Sequence, residues 1–408
     1  MKVLFVHQNF PSQFKFLAPK LASLGHDVSA FTLRQNAPGH WKGVKLLSYS
    51  IDRENAQNAH PWTVDFESKV VRGEACCRAA ITLRKRGYYP DIIIAHPGWG
   101  ESLFLKQVWP NSILKLYCEY FYRPTGQDVG FDPEFANADE ADAGRVFLKN
   151  ANILVQFEQS ESGISPTRWQ AQTFPERLRG AITTLHDGVD TVSASPNQSA
   201  KFHVDENLTL SKADEVITFV NRTLEPYRGF HVFMRSLPKL LADRPTARVL
   251  IVGSDGRGYG ELPREGGTWK QKMLAEITPR LGKNESHRIY FLGNLEYKRY
   301  LNLLRVSTVH VYLTYPFILG WSLLEAMSSG CAIIGSDTPP VTEVIENGKT
   351  GLITPFFDHE ALATSISELL QDDEKRDRLG RDARALVVRD FDLQSVCLPQ
   401  QINWATRT

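Results

Sequence analysis

The clearest indication of the fold is the stretch YPFILGWSLLEAMSSGCAIIGSDTPPVTEVIENGKTGLI, residues 315–353. Its middle part predicts a helix that begins near Gly320, carries Leu323 and Met327 on one face and stops at Gly330. The apolar run CAIIGS follows at once, which is typical of a strand buried in a parallel sheet. A helix that leads directly into a buried strand predicts an α/β fold.

The same alternation of helices and buried strands fills both halves of the chain. The strand KVLFV, the helix FKFLAPKLASLG and the strand DVSAFTL predict a βαβ unit at the start. Further buried strands are predicted at DIIIA, ANILVQF and AITTL, and in the second half at VITFV, RVLIVG, RIYFLG, HVYLT and CAIIGS. This order predicts two Rossmann-like, doubly wound domains facing a cleft, with ligands at the carboxyl ends of their strands.

Length and composition agree with two such domains. The chain has 408 residues, enough for two domains of roughly 200 residues, and the polar, turn-rich stretch 185–215 predicts their junction. A formal net charge of +1 gives no reason to expect a nucleic-acid partner. The five scattered cysteines indicate reduced thiols, and therefore a cytoplasmic location, better than disulfides or a zinc site.

The sequence gives one hint of a membrane contact. The opening MKVLFVHQNF has only four consecutive apolar residues, too few for a signal peptide, and no later run reaches spanning length. The basic cluster 84–86, followed by Tyr88 and Tyr89, could contact an anionic membrane surface. It could also simply close a helix before Gly87, because basic residues suit the carboxyl end of a helix dipole.

The segment around Gly320 carries the clearest chemical signal. Gly320 would let the backbone approach a ligand closely, and the amides of the helix start would meet a diphosphate at the positive end of the dipole. Glu325, one turn into the helix, could accept hydrogen bonds from a ribose. The spacing of Ser322 and Glu325 also fits a capping box, in which the glutamate only satisfies backbone amides. Spacing alone leaves both interpretations open.

This segment resembles the nucleotide-sugar site of glycosyltransferase family 4, whose members are retaining enzymes of the GT-B fold. The matching residues of the family pattern E-G-F-G-L-x-x-L-E-A-M-A-x-G-x-P-V-V are Gly320, Leu324, Glu325, Ala326, Met327 and Gly330. The resemblance implies that Glu325 binds the nucleotide and that the donor contacts Leu319, Gly320, Trp321, Ser322 and Leu323.

Phe317 departs from the family pattern. Relatives usually have a glutamate at this position, seven residues before the second one, and it commonly contacts hydroxyls of the transferred sugar. Either another acid such as Glu343, or backbone groups of residues 317–319, must then serve, or the chain is not catalytic.

Two arginines resemble the family's diphosphate-binding pair. The stretch FVNRTLEPYRGFHVF, residues 219–233, is similar to G-R-L-x-x-x-K-G, with Arg222 matching the arginine and Arg228 standing near the lysine. Paired cations in a dry site stabilise the charge left on a departing diphosphate. Without the resemblance, both could be solvated surface charges.

Two loops of the second half resemble the walls of a nucleotide site. The loop VGSDGRG follows a predicted strand, and its resemblance to V-G-x-G-P implies that Gly253 and Ser254 lie near the nucleotide. The stretch FLGNLEY resembles one whose backbone reads the base, which implicates Asn294 and Leu295. Gly253 and Gly293 could equally be strand-end glycines without a special role.

In the first half, the resemblance points to His96, which follows the strand DIIIA as a family histidine near the reacting sugar carbon does. A histidine at a strand end is also often structural. The loop HQNFPSQF should border the acceptor, with Asn9, Ser12 and Gln13 as polar candidates where most relatives have glycines. Tyr120 and Tyr122 could form a sugar platform or belong to the core, and residues 126–144 could form a lid or a connector.

Taken over the whole chain, the resemblance implies an acceptor-side domain at 1–190, a donor domain at 191–390 and a terminal segment, 391–408, that crosses back to the first domain. It implies transfer of a UDP- or GDP-linked sugar to a glycan or lipid-linked acceptor in polysaccharide biosynthesis, with no metal and no cofactor. The location expected is cytoplasmic, at the inner face of the membrane. A sugar-nucleotide epimerase of the same fold and a non-catalytic binding module remain as alternatives.

Overall fold

A computed structural model describes residues 1–35, 37–136 and 141–407. The chain divides into two compact units. The first unit comprises residues 1–187 and 394–408, and the second comprises residues 188–393. The division falls three residues before the predicted junction at 190 and three residues after the predicted one at 390. Both ends of the chain therefore belong to the first unit.

The first unit is built on an eight-stranded sheet in the order β3-β4-β2-β1-β5-β6-β7-β8. All neighbours are parallel except the antiparallel pair of β3 and β4 at one edge. The strands are β1 Lys2–Val6, β2 Asp27–Thr32, β3 His40–Trp41, β4 Val44–Ser48, β5 Ile92–Ala95, β6 Ile113–Tyr117, β7 Ser162–Ser165 and β8 Ile182–Thr184. The helices of this unit are α1 Leu17–Ser23, α2 Val64–Lys85, α3 Leu105–Val108, α4 Asp142–Leu148, α5 Ala151–Glu158, α6 Arg168–Thr173, α7 Glu176–Arg179 and, at the far end of the chain, α16 Leu398–Thr406.

The second unit contains a six-stranded parallel sheet in the order β13-β12-β11-β14-β15-β16 and a separate antiparallel hairpin of β9 and β10. Its strands are β9 Lys201–His203, β10 Thr209–Ser211, β11 Val216–Thr223, β12 Arg248–Ser254, β13 Ile289–Phe291, β14 Val309–Tyr312, β15 Ala332–Ser336 and β16 Leu352–Thr354. Its helices are α8 Phe230–Asp243, α9 Trp269–Ile277, α10 Lys283–Ser286, α11 Tyr297–Val306, α12 Trp321–Ser328, α13 Pro339–Thr342, α14 His359–Gln371 and α15 Asp373–Asp390.

The central strands are buried along their length, as parallel strands covered by helices must be. Strand β5 has four buried residues in a row, and in β15 all five are buried. The prediction of two doubly wound α/β domains is confirmed by this architecture. Since parallel strands end at the same edge of a sheet, the residues after β1, β5 and β6 meet in the first unit, and those after β11, β12 and β14 meet in the second.

One predicted strand is wrong. The run ANILVQF, residues 151–157, lies in the helix α5. Its buried residues Asn152, Ile153, Gln156 and Phe157 follow helical spacing, while Val155 points outwards and is 45% exposed. The strand of this region is instead the short segment β7, whose composition SGIS gives little apolar signal.

The stretch 126–144 is partly structured. Asp128 is buried, and its carboxylate accepts a hydrogen bond from the Tyr120 hydroxyl at 2.9 Å. Helix α4 begins at Asp142. Residues 137–140 of the predicted lid lie outside the described residues.

Candidate active site

Arg228 is a buried cation at the carboxyl end of the second sheet. Its side chain donates hydrogen bonds to Thr314 Oγ1 and to the Ile318 carbonyl, both at 2.9 Å. The residue is only 7% exposed. Gly229 allows this placement, because its φ of +67° is left-handed and a Cβ there would lie 2.4 Å from Leu313. Among the residues that the structure describes, no carboxylate forms an ion pair with Arg228.

The charge of Arg228 is retained despite its burial. Burial would lower the pKa of this guanidinium, but the nearby oxygens of Tyr312, Tyr259 and Glu225 outweigh that effect and raise its pKa. A buried, permanently charged guanidinium is costly unless an anion offsets it. The arrangement is therefore suited to bind an anionic group.

Arg222 lies beside Arg228 under one aromatic ring. The guanidinium carbon of Arg222 is 5.0 Å from the ring centroid of Tyr259, and that of Arg228 is 5.4 Å from it. Arg222 follows the buried part of β11 and is itself exposed. Tyr259 was not predicted from the sequence, although a cation–π contact of this kind contributes about 0.5–1 kcal/mol and orients both cations.

Glu225 fixes the loop that carries Tyr259. It is 2% exposed, and its Oε2 accepts a hydrogen bond from the Gly260 amide at 2.8 Å. A Cβ on Gly258 would lie 2.1 Å from Glu225 Oε1, so a larger residue at this position would displace the carboxylate. The glycines of the loop thus make room for the carboxylate of Glu225. Like Tyr259, Glu225 was not predicted from the sequence.

Phe317 belongs to the same aromatic cluster. Its ring is 5.0 Å from that of Tyr259 and 5.5 Å from that of Tyr227, and the Arg228 guanidinium lies 5.9 Å from its centroid. Phe317 is 3% exposed. Where relatives have a carboxylate, this chain therefore places an aromatic ring over a buried guanidinium. Glu343, the other acid considered, is partly buried and caps the carboxyl end of α13.

The capping-box interpretation of Glu325 is wrong. Helix α12 begins after Gly320, so Ser322 is a helical residue and does not cap the helix. Glu325 is 9% exposed, and its two carboxylate oxygens accept hydrogen bonds from Tyr297 at 3.0 Å and Tyr300 at 2.9 Å. Both tyrosines come from α11, and neither was predicted.

The start of α12 is held close to Arg228. The Gly320 amide donates a hydrogen bond to the Tyr312 hydroxyl at 2.6 Å, and a Cβ on Gly320 would lie 3.1 Å from that oxygen. Leu319 is 8% exposed and packs in the hydrophobic core. Leu323 is fully buried in the same core. Trp321 and Ser322, in the first turn, are partly exposed.

The remaining predicted donor residues lie at the ends of β12 and β13. Gly253 has φ +154°, and its amide donates to the Gly293 carbonyl at 3.0 Å, so both glycines have a structural role. Ser254 Oγ donates to the Arg222 carbonyl at 2.8 Å and so joins the ends of β12 and β11. Asn294 is exposed, and Leu295 packs against the core.

In the first unit, His96 follows β5 and starts a 3₁₀ turn at Pro97–Trp99. It is 4% exposed, and its Nδ1 accepts a hydrogen bond from the Gly98 amide at 3.2 Å. Its Nε2 lies 3.4 Å from Oε2 of Glu119, a residue just beyond β6 that was not among the predicted site residues.

The predicted acceptor loop, residues 7–14, contacts Glu119 and is also held by a bond within the loop. Gln13 Nε2 donates to Glu119 Oε1 at 2.9 Å, and the Asn9 amide donates to Nδ1 of His7 at 3.0 Å. Ser12 has φ +40°, in the left-handed region that favours glycine, which agrees with the glycines expected in relatives.

The two candidate platform tyrosines differ in exposure. Tyr120 is 5% exposed and hydrogen-bonded to Asp128, so it belongs to the core, as the alternative interpretation held. Tyr122 is partly exposed and lies 5.2 Å from the Tyr120 ring, with Lys149 Nζ 3.7 Å from its centroid. Of these two tyrosines, Tyr122 retains an accessible aromatic surface.

Known protein families match both units. Residues 24–194 match the glycosyl transferase family 4 group, and residues 202–386 match the glycosyl transferases group 1. The chain belongs to the family 4-like glycosyltransferases.

Two relatives match this chain over about half of its length. The spore coat protein SA of Bacillus subtilis is 28% identical over 235 residues, which cover 55% of this chain and 59% of that protein. The phosphatidyl-myo-inositol mannosyltransferase of Mycolicibacterium smegmatis is 27% identical over 213 residues, 51% of this chain and 47% of the relative. The chain thus spans about half the length of these curated relatives.

A solved structure matches this chain over nearly its whole length. The Anabaena HepE protein in complex with UDP-glucose superimposes with a TM-score of 0.69 at 15% identity, covering 99% of this chain and 98% of that one. At this identity the likeness establishes the GT-B fold. Within the second unit, the structure brings together Arg222, Arg228, Phe317 and the helix start at Gly320. Glu325 lies in the same helix, α12, and its carboxylate accepts a hydrogen bond from Tyr300 of α11.

Proposed function

We propose that this protein transfers a sugar from a UDP- or GDP-linked donor, with retention of configuration, to a hydroxyl of a glycan or lipid-linked glycan in polysaccharide biosynthesis. The observation that carries the proposal is the buried Arg228 guanidinium, which pairs with no carboxylate among the described residues. It donates a hydrogen bond to the carbonyl of Ile318, two residues before Gly320, the N-cap of α12. A nucleoside diphosphate would supply the missing negative charge. The solved HepE structure is a complex with UDP-glucose, which supports the choice of a nucleotide sugar.

In the proposed reaction, the bond between the anomeric carbon and the diphosphate oxygen breaks while the acceptor oxygen forms a bond to the same carbon. The leaving phosphate oxygen takes the proton of the acceptor hydroxyl, so that a nucleoside diphosphate and a glycoside result. Arg228 and Arg222 stabilise the charge that develops on the diphosphate, and the amides of the α12 start add the favourable end of a helix dipole.

Glu325 is assigned to the ribose of the donor. Its two tyrosine partners hold the carboxylate in one orientation on the inner side of α12. A charged acceptor suits the vicinal hydroxyls of a ribose, since such hydrogen bonds are stronger than neutral ones. His96 is assigned to the sugar side, where its role is to position the donor and stabilise positive charge.

The reaction is proposed to need no metal and no cofactor, because the two arginines already supply the cationic charge at the diphosphate. We expect turnover to be unchanged after exhaustive treatment with EDTA. A loss of turnover that is restored by Mg²⁺ or Mn²⁺ would contradict this part of the proposal.

The proposed location is the cytoplasm, at the inner face of the membrane. All five cysteines are free, which agrees with a reducing compartment. In the part of the chain that the structure describes, no helix has the length and apolar character needed to cross a bilayer. The basic residues 84–86 close α2, where Arg84 donates to the Val108 carbonyl at 3.2 Å, and the neighbouring Tyr89 is 58% exposed. Sedimentation with anionic vesicles, at low and high salt, tests a peripheral contact there.

The decisive experiment is incubation of the protein with UDP-, GDP- and ADP-sugars. Release of free nucleoside diphosphate and sugar by slow hydrolysis supports a transferase, and it should occur with a UDP- or GDP-sugar. Conversion into a different nucleotide sugar would indicate the epimerase alternative. Binding without conversion, measured by calorimetry, would indicate a non-catalytic module.

A further inference from the structure

Three polar residues meet at the carboxyl edge of the first sheet. His7 follows β1, His96 follows β5, and Glu119 lies two residues beyond β6. The strands β1 and β5 are neighbours, as are β5 and β6, so their ends lie side by side. The imidazole centroids of His7 and His96 are 5.5 Å apart.

Glu119 reaches two different elements with its two oxygens. Its Oε1 accepts a hydrogen bond from Gln13 Nε2 at 2.9 Å, and its Oε2 lies 3.4 Å from His96 Nε2. Burial would raise the pKa of Glu119, but the contacts with His96, Gln13 and His7 outweigh it and keep that pKa below its usual range. The side chain is therefore a carboxylate at neutral pH, which accepts a hydrogen bond from Gln13 and lies within ion-pair distance of His96 Nε2.

The ring of His96 is fixed on its other sides. Its Nδ1 accepts the Gly98 amide hydrogen, so the ring proton of the neutral imidazole belongs on Nε2, towards Glu119. The ring stacks on Tyr117 with centroids 5.6 Å apart and an interplanar angle of 27°. A Cβ on Gly98 would lie 2.8 Å from His96 Cε1, which shows how closely the turn encloses the ring.

His7 does not contact the Glu119 carboxylate as His96 does. It is 3% exposed, and burial together with the neighbouring His96 lowers its pKa to about 3, so it is neutral at pH 7. Its Nδ1 already accepts the Asn9 amide hydrogen. Of the two histidines, only His96 has a ring nitrogen within 4 Å of a described carboxylate.

We propose that Glu119 is a positioning residue, which together with the Gly98 amide holds His96 in its Nε2–H form and ties the acceptor loop to it through Gln13. The Glu119 carboxylate then fixes both His96, which is assigned to the sugar side of the donor, and the loop 7–14, which is assigned to the acceptor. The part of this inference that concerns catalysis rests on the proposed function, whereas the part that concerns the proton position does not.

The test compares Glu119→Gln and Glu119→Asp with the matched control Glu158→Gln, a change at an exposed glutamate of the same unit. Long-range ¹H–¹⁵N spectra report which nitrogen of His96 carries the proton, with His96→Gln identifying the signal. In the parent protein and in Glu158→Gln the proton should be on Nε2. In Glu119→Gln, an amide whose oxygen accepts from Gln13 turns its NH₂ group towards His96 Nε2, so the fraction of His96 protonated on Nδ1 should rise, at the expense of the bond from the Gly98 amide.

Turnover is measured on the same variants with the donor found active. We expect the kcat of Glu119→Gln to fall by about 100-fold, as misplaced reacting groups do, with donor KM changed less than about 3-fold. Glu119→Asp should keep the proton on Nε2 and recover part of the loss, and it serves as the test if Glu119→Gln does not fold. An unchanged proton position in Glu119→Gln, or a kcat equal to that of Glu158→Gln, would overturn the inference. A parent protein without any transfer would refute the proposed function alone, because the spectra still test the positioning of His96.

Discussion

The Tyr300 hydroxyl donates a hydrogen bond to Oε2 of Glu325 at 2.9 Å. Tyr297 binds the other oxygen of the same carboxylate, so α11 orients the residue assigned to the donor ribose. The carboxylate is thus held in place before any ligand arrives, which limits the entropy lost on binding.

The first prediction concerns this carboxylate. Glu325→Gln should raise donor KM by about 10- to 100-fold, because a hydrogen bond to a charged group contributes about 1.5–3 kcal/mol. Tyr300→Phe removes a buried donor and should lower the free energy of unfolding by about 1 kcal/mol. Tyr297→Phe is the matched control, since Tyr297 is 48% exposed and its loss should cost less. Kinetics and chemical denaturation test both; equal donor KM in Glu325→Gln and the parent protein would refute the assignment.

The second prediction concerns Arg228. Arg228→Ala should abolish release of nucleoside diphosphate, and Arg228→Lys should retain a small part of it, because a lysine keeps the charge but cannot make both hydrogen bonds to Thr314 and Ile318. Arg280→Ala, at an exposed site in the same unit, should behave as the parent protein. Initial rates and thermal melting are measured together. Normal turnover in a folded Arg228→Ala protein would contradict the site.

The third prediction uses the position at which this chain differs from the family pattern. Phe317→Glu places a carboxylate near the Arg228 guanidinium, which is 5.9 Å from the present ring centroid. The new ion pair should neutralise the anion site and weaken nucleoside diphosphate binding by at least about 10-fold. Phe317→Leu keeps an apolar side chain and should change binding much less. Calorimetric titration with UDP and GDP distinguishes these outcomes, and tighter binding by Phe317→Glu would show that Arg228 does not hold the diphosphate.

The fourth prediction concerns pH and the fully buried Glu101. Burial raises its pKa from 4.5 to about 7, with the local backbone and the charges of Arg72 and His96 opposing that rise. The folded state therefore binds more protons than the unfolded state between these values, so stability falls as pH rises from about 4.5 through 7. Between pH 5 and pH 8 this carboxyl should remove about 2–3 kcal/mol from the free energy of unfolding.

Glu101→Gln isolates that effect, since its stability relative to the parent protein should be higher at pH 8 than at pH 5 by the same amount. The comparison is needed because His7, whose pKa is lowered to about 3, makes the protein less stable as pH falls below 6.5. Urea denaturation of both proteins at pH 5, 6, 7 and 8 provides the measurement. A difference that does not depend on pH would show that Glu101 titrates normally.

Much of the fold could be predicted from the sequence alone. Runs such as DIIIA and CAIIGS are apolar throughout, and burial on both faces of a parallel strand requires that pattern. The run ANILVQF carries a similar apolar content but forms α5, because the short segment has both a strand-like composition and a helical face. Local pattern does not distinguish these two possibilities; packing against the neighbouring elements does.

Some residues of the candidate site could be predicted from the sequence, and others could not. Gly320, Glu325, Arg222 and Arg228 could be named from the sequence because they lie in short segments that resemble motifs of the family. Glu119, Tyr259, Tyr297 and Tyr300 have no such local pattern. Their roles arise from contacts between residues far apart in sequence, as in the bond from Gln13 to Glu119 across 106 positions.

The alternation of strands and helices follows from local sequence, and so does the edge of each sheet at which polar groups collect. Which of those groups touch depends on the folded chain: Glu325 bonds two tyrosines instead of capping a helix, and Phe317 contacts Arg228. Hydrophobic periodicity is a property of a single segment, whereas a buried charge is positioned by partners that folding brings together.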